Sequence, residues 1–238
     1  MSTFFNKIRL IFEDKTLRGR IIFVVFGLFL FRILANIPIP SIDPLRLEQF
    51  FANNQLFGFL DIFAGGGLSN LSIIMLGVQP YITASIIMQL LTMIFPKLKE
   101  MYQEEGEAGR RKFSQYTRFL TLPLSAVQAF AYLTLLSKQS VIEPLAGFGL
   151  VLNIVIITAG SMLLMWLGEL ITEYGVSNGT SLIIFAGIVA GLPSTISQLA
   201  FGFTLSQLPI YLGSIILILL VIWGVVIVTE AERPIPIT

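Results

Sequence analysis

Between Leu56 and Phe95 the chain sets a nine-residue apolar segment, a run of glycines and a long apolar segment end to end. The first, Leu56 to Ala64, is too short to cross a bilayer, which takes about 20 residues. Gly65, Gly66 and Gly67 follow, then Ser69 and Asn70. Glycine leaves the backbone free to bend there. The second segment, Leu71 to Phe95, is long enough to span. Irregular backbone at membrane depth survives only inside protein or beside water. The pattern therefore predicts an all-α fold: a polytopic transmembrane helix bundle with a re-entrant half-helix hinged to a full span beside an enclosed space.

Composition bears on which chemistry this bundle can carry. Only 12% of the residues are charged, about half the share of a soluble domain, and the mean hydropathy is +0.86. A net charge of +1 gives nucleic acid no electrostatic footing. There is no Cys and no His, so disulfides, thiol nucleophiles, imidazole bases and most transition-metal sites are excluded. No phosphate-binding G-x-x-x-x-G-K-[ST] motif occurs. The spans lack paired acids: Glu169 and Glu173 stand together at one span's inner end, where a solvated helix end explains them. The reading is of a protein that is not an enzyme, with no catalytic residues, no cofactor and no metal.

The other spans follow from apolar length. Residues 1–20 carry Phe4, Phe5, Ile8, Ile11 and Phe12 at helical spacing among cations, as a helix lying on an anionic leaflet would; a frayed tail is the alternative. Ile21 to Ile37 is the first span, closed by Pro38 and Pro40. A cleaved signal is disfavoured, because no A-x-A-like site follows and Arg32 interrupts its far end. Pro96 to Tyr116 is the longest polar segment. Phe119 to Leu136, Leu145 to Ile171, Leu182 to Phe201 and Leu208 to Val228 complete six spans, the fifth broken by Gly187, Gly191 and Pro193. With the N-terminus inside, twelve Lys and Arg fall on the inner side and three on the outer, which places both ends of this chain in the cytoplasm.

Mid-span polar residues are few. Gln79, Gln89 and Asn153 are the main ones, and interhelical hydrogen bonds explain them. Ile82 and Ile86 are four apart on one helix face, and Ile184 and Ile188 repeat the pair beside Ala186, Gly187, Ala190 and Gly191. Facing each other they would form an apolar collar that gates by excluding water. Facing outward they would simply meet lipid. On these grounds a small-solute secondary transporter and a non-transporting structural subunit remain as alternatives to a channel.

Four blocks carry a resemblance: RILANIPIPSID at 32–43, FLDIFAGGGLSNLSIIMLGVQPYITASIIMQLL at 59–91, EEGEAGRRKFSQYTRFLT at 104–121 and MWLGELITEYGVSNGTSLIIFAGIVAGLP at 165–193. In that order they resemble the SecY family, the central subunit of the bacterial protein-conducting channel. The resemblance implies a channel in the cytoplasmic (inner) membrane that passes unfolded polypeptide across and releases apolar segments into lipid. It implies a plug made of Leu60, Asp61, Ile62, Phe63 and Ala64, then Gly65, Gly66 and Gly67, then Leu68, Ser69, Asn70 and Leu71. Ile82, Ile86, Ile184 and Ile188 would belong to the pore ring. The helix from Ile73 to Phe95 would be one side of the lateral gate, with Gln79, Pro80, Ser85 and Gln89 at its edge. Lys97, Lys99, Arg110, Arg111 and Lys112 would meet a cytosolic partner, SecA or the ribosome. SecE would clamp the outside, SecG would be a third subunit, and signal peptides and nascent chains would be the cargo, with no direct binding of nucleic acid.

The family's pattern is ten spans in two inverted halves. Six are read here: a cytoplasmic amphipathic segment at 1–20, a first channel half at 21–201 with the plug at 60–71, and at 202–238 an outer loop, a sixth span and the start of a cytosolic loop. Inverted repeats place the working site between halves. The second gate edge and about half of the collar would then come from outside these 238 residues.

Overall fold

The computed structural model describes residues 14–39, 67–68, 70–139, 141–142, 147–201 and 208–230. Among them the protein is helical: α1 (Lys15–Ala35), α2 (Gln79–Ile94), α3 (Pro96–Gln103), α4 (Gly106–Lys138), α5 (Phe148–Tyr174), α6 (Gly179–Phe201) and α7 (Leu208–Glu230). The chain divides into two compact bodies, 1–191 and 192–238, with the boundary inside α6. α4, α5 and α7 are each long and apolar enough to cross a membrane, and the bent pair α2–α3 passes the same test as one unit. The expected plug residues 60–66 and Ser69 lie outside the described residues, as do residues 1–13.

α1 starts at Asp14, whose Oδ1 accepts from Thr16 N at 2.8 Å, so a capped helix begins six residues before the expected first span. Lys15, Arg18 and Arg20 therefore lie in the first turns of α1, continuous with the residues expected in the first span. With Arg32 at the other end they leave Ile21 to Phe31 as its uncharged part, and α1 is not among the helices apolar enough to cross by composition alone.

The expected span from Leu71 to Phe95 takes a different form. Its first eight residues are not helical. Ile39 N donates to Leu71 O at 2.9 Å, Ile73 N donates to Ile37 O at 3.0 Å, and Pro38 and Ser72 form an isolated antiparallel bridge. Ser72 then donates through both its N and its Oγ to Gly67 O, at 2.8 and 3.1 Å. Turns closed by Met75 N on Ser72 O and Gly77 N on Ile74 O carry the segment on to Gln79. Gly77 adopts φ +59°, which a side chain would strain, and Pro80 opens α2 within its first turn. α2 is left with 16 residues, about 24 Å, short of the roughly 30 Å hydrocarbon core.

Irregular backbone must be enclosed, and it is. Leu71, Met75 and Leu76 belong to one apolar cluster with Leu133 and Leu136 of α4 and Ile157 of α5. Ile74 and Val78 belong to a second with Phe31 and Ala35 of α1, Leu164 and Ile171 of α5 and Ile183 of α6. Gly160 of α5 allows the close approach, because a Cβ there would collide with the Ile73 carbonyl oxygen. The softness expected of the glycine run therefore does not extend to Gly67, whose carbonyl is held twice.

The polar stretch 96–116 is helical for most of its length. α2 and α3 meet at 113°, at Phe95 and Pro96. α3 folds back on the start of α4: the rings of Tyr102 and Phe113 lie 4.8 Å apart, and Gly109 sits against the Met101 carbonyl. α4 runs 33 residues, about 50 Å, so its polar beginning projects beyond any bilayer it crosses. One stripe of α4, Gly109, Phe113, Thr117, Thr121, Ser125, Ala129 and Leu133, is buried at a four-residue spacing. Thr117 and Thr121 donate to Phe113 O and Thr117 O, four residues back, which satisfies them inside the stripe. α2 packs on α4 and buries its own four-spaced stripe, Pro80, Ala84 and Met88. α6 runs through Gly187, Gly191 and Pro193 as one helix rather than breaking there.

Candidate channel wall

The stripe that α2 turns toward α4 leaves its other face open. There the first body holds a cavity of about 640 Å³. Tyr81, Ile82, Ser85, Ile86 and Gln89 of α2 line one side, and Ser114 and Arg118 of α4 continue it. Glu169, Thr172 and Glu173 of α5, the α5–α6 turn residue Asn178, and Thr180, Ser181 and Ile184 of α6 complete it. Three of the four isoleucines expected in a collar, Ile82, Ile86 and Ile184, therefore share one cavity although α2 and α6 lie about a hundred residues apart. Ile188 stands one turn further along α6, outside that lining, and is 40% exposed.

The α5–α6 turn is held tightly. Thr172 Oγ1 donates to Gly168 O and accepts from Gly179 N, both at 2.8 Å. Asn178 Oδ1 accepts from Ser181 N at 3.1 Å and caps α6. A Cβ at Gly179 would collide with Gly168 O, so the two helices touch backbone to backbone here. Glu169 and Ile184 are thereby held in a fixed relation.

Of the expected gate residues, Ser85 and Gln89 face the cavity and bond each other, Gln89 Nε2 donating to Ser85 Oγ at 3.4 Å. This is a bond within α2, not the interhelical one expected of Gln89. Gln79 is exposed at the start of α2, and Pro80 is buried. Asn153 Oδ1 is buried with no donor among the described residues, so the expected bond is missing there as well. Lys97, Lys99, Arg110, Arg111 and Lys112 are all exposed on the α3–α4 hairpin, and Lys112 Nζ lies 3.5 Å from Glu105 Oε2. With both side chains well exposed to solvent, that contact adds little.

Glu169 is not the solvated helix end that its position in the sequence suggests. Arg118 Nε donates to its Oε1 at 2.8 Å, from α4 to α5, and the Glu169 side chain is only 18% exposed. Its Oε2 is buried with no donor among the described residues. The signal for this pair was a counting one. Each residue lies about twenty positions from the α4–α5 connection, so an antiparallel hairpin brings both to one depth, about 30 Å from it. Among the described residues no acidic cluster comes together as a metal site would require.

A family model described as SecY matches residues 72–238. A protein translocase subunit SecY from Synechocystis sp. is 44% identical over 227 residues, covering 93% of this chain and 50% of the relative. The subunit of that name from Aquifex aeolicus is 40% identical over 244 residues, covering 97% of this chain and 56% of its own. The chain thus spans about half the length of the curated relatives it matches. Among solved structures, Sec61 in the canine ribosome–channel complex from the endoplasmic reticulum superposes with a TM-score of 0.63 at 22% identity, over 94% of this chain and 50% of that one. A second, described as a protein-conducting channel, gives 0.60 at 23%, over 88% and 48%. At such identities these two superpositions speak for the fold alone.

Proposed function

The chain belongs to the SecY family, and from that premise we propose that it forms one side of a protein-conducting channel in the bacterial cytoplasmic membrane. Unfolded polypeptide would pass the collar of Ile82, Ile86, Ile184 and Ile188, and apolar segments would leave sideways past α2. The observation that carries this reading is the meeting of Ile82 and Ile86 with Ile184 on one cavity. Branched aliphatic side chains exclude water and ions, yet yield to a chain of any sequence because they make no directional bonds. The hydroxyls and amides around them let a passing backbone stay solvated.

The remaining roles follow the same reading. Residues 60–71 act as the plug. Ser85 and Gln89 form part of the gate edge, opposite a second edge from the rest of the family's fold. Lys97, Lys99, Arg110, Arg111 and Lys112 offer a basic surface to SecA or the ribosome. SecE and SecG are the partner subunits, signal-bearing precursors are the cargo, and both ends of this chain face the cytoplasm.

The test uses inner-membrane vesicles from cells producing the protein. A signal-bearing precursor should enter them while small solutes stay out; the reverse overturns the proposal. Ile82→Asn with Ile184→Asn should raise ion leak and admit signal-defective precursors at least about fivefold more readily. Unchanged leak and stringency would remove the isoleucines from the collar.

A further inference from the structure

The Arg118–Glu169 pair has no part in the roles above, and its position is informative. Arg118 stands where α4 turns from polar to apolar, between Tyr116–Thr117 and Phe119–Leu120. Its partner is on α5, 51 residues away, and both line the cavity. Glu169 is mostly removed from solvent, and Arg118 is the cation that compensates it at hydrogen-bonding distance.

Two pairs of helices meet at the cavity, and α4 and α5 also pack directly on each other, with Leu133 and Leu136 of α4 and Ile157 of α5 sharing one apolar cluster toward their connection. α2 and α4 form one pair, packed along their four-spaced stripes and joined through the α3 hairpin. This pair carries Ile82 and Ile86. α5 and α6 form the other, touching at Gly168 and Gly179 and tied by Thr172. It carries Ile184. Arg118 to Glu169 is an ion pair from one wall to the other at the level of the cavity. A charge-assisted bond of this length fixes distance and angle more sharply than packed aliphatic contacts do. Arg118 is also not exchangeable with Lys, because its planar group offers Nε in a set direction.

We propose that Arg118 and Glu169 are positioning residues that set how far Ile82 and Ile86 stand from Ile184, and so set the aperture of the collar without touching the passing chain. The proposal rests on reading those isoleucines as a collar, but its test does not require transport. Breaking the pair leaves the isoleucines and the α4–α5 packing around Leu133 and Ile157 in place and frees the two walls only at their cavity end. Exchanging the two charges restores the span.

The chain has no native cysteine, so aperture can be read by cross-linking. Ile86→Cys and Ile184→Cys are introduced together and treated in native membrane vesicles with bis-maleimides of increasing length. In the parent background the shortest productive reagent should dominate. With Arg118→Leu the preference should shift toward longer reagents by about tenfold, with Arg118→Lys by less. Arg118→Glu combined with Glu169→Arg should return toward the parent pattern. Unchanged reagent preference in Arg118→Leu overturns the proposal, and so does a shift that the exchanged pair fails to reverse. If Arg118→Leu is not retained in the membrane, Glu169→Gln keeps the shape of the partner and is read in the same way. Failure of precursor transport in the parent would sink the channel reading but leave this measurement intact.

Discussion

Residues 71–78 and 79–94 are one continuous apolar run, yet the protein uses its two parts in opposite ways. The first part abandons the helix, bonds to residues 37–39 and 67, and enters both apolar clusters. The second is a regular helix that buries only Pro80, Ala84 and Met88 and leaves Ile86, Leu90, Met93 and Ile94 more than half exposed. Apolarity is similar in the two. What differs is where the backbone finds its hydrogen-bond partners. A helix satisfies itself and can stand at a wall, whereas irregular backbone has to be surrounded. One stretch can thus supply both an enclosed strut and an open wall.

Four substitutions bear on that contrast, the strongest first. Gly160→Leu would drive a side chain into the Ile73 carbonyl. Overpacking of this kind costs about 3 kcal/mol, and the protein should fail to accumulate in membranes; normal accumulation would mean that the strut is not pressed on α5. Ile74→Ala empties a site that is 0% exposed. In lipid the transfer part of the loss shrinks, leaving mainly the cavity part, about 2 kcal/mol; thermal unfolding in detergent should register it. Ser72→Ala removes one of two donors on Gly67 O in a buried turn and should cost about 1 kcal/mol. Ile86→Ala, on the exposed face of α2, should stay within about 0.5 kcal/mol in the same assay. A loss at Ile86 equal to that at Ile74 would erase the distinction between strut and wall.

Parts of this were legible in advance and parts were not. The first span is read from Ile21, although Asp14 before the run is a helix-start signal and the structure begins α1 there; Pro96 after Phe95 is likewise a bend signal that the reading does not use. The four-spaced isoleucines were legible as pairs, and the structure brings Ile82, Ile86 and Ile184 to one space while Ile188 stays outside its lining. The helix from Ile73 was misread, because an apolar run long enough to span looks the same whether or not its first eight residues coil. Pro80 and Gly77 were the available warnings. The polar stretch 96–116 has few apolar positions and shows no helix in its hydropathy, but Tyr102, Gly109 and Phe113 suffice to dock a short helix on a long one.

The amino-acid sequence by itself determined that the chain is an all-helical membrane protein, roughly where its helices lie, and that thiol and imidazole chemistry are closed to it. These follow from composition, apolar length and local backbone rules, which act on neighbours along the chain. Only the tertiary structure decided which apolar residues are core, which line a cavity, and that Arg118 meets Glu169. Hydropathy measures departure from water and is the same for a side chain headed into lipid, into a pore or into a core. The choice among them is made by packing between segments distant in sequence.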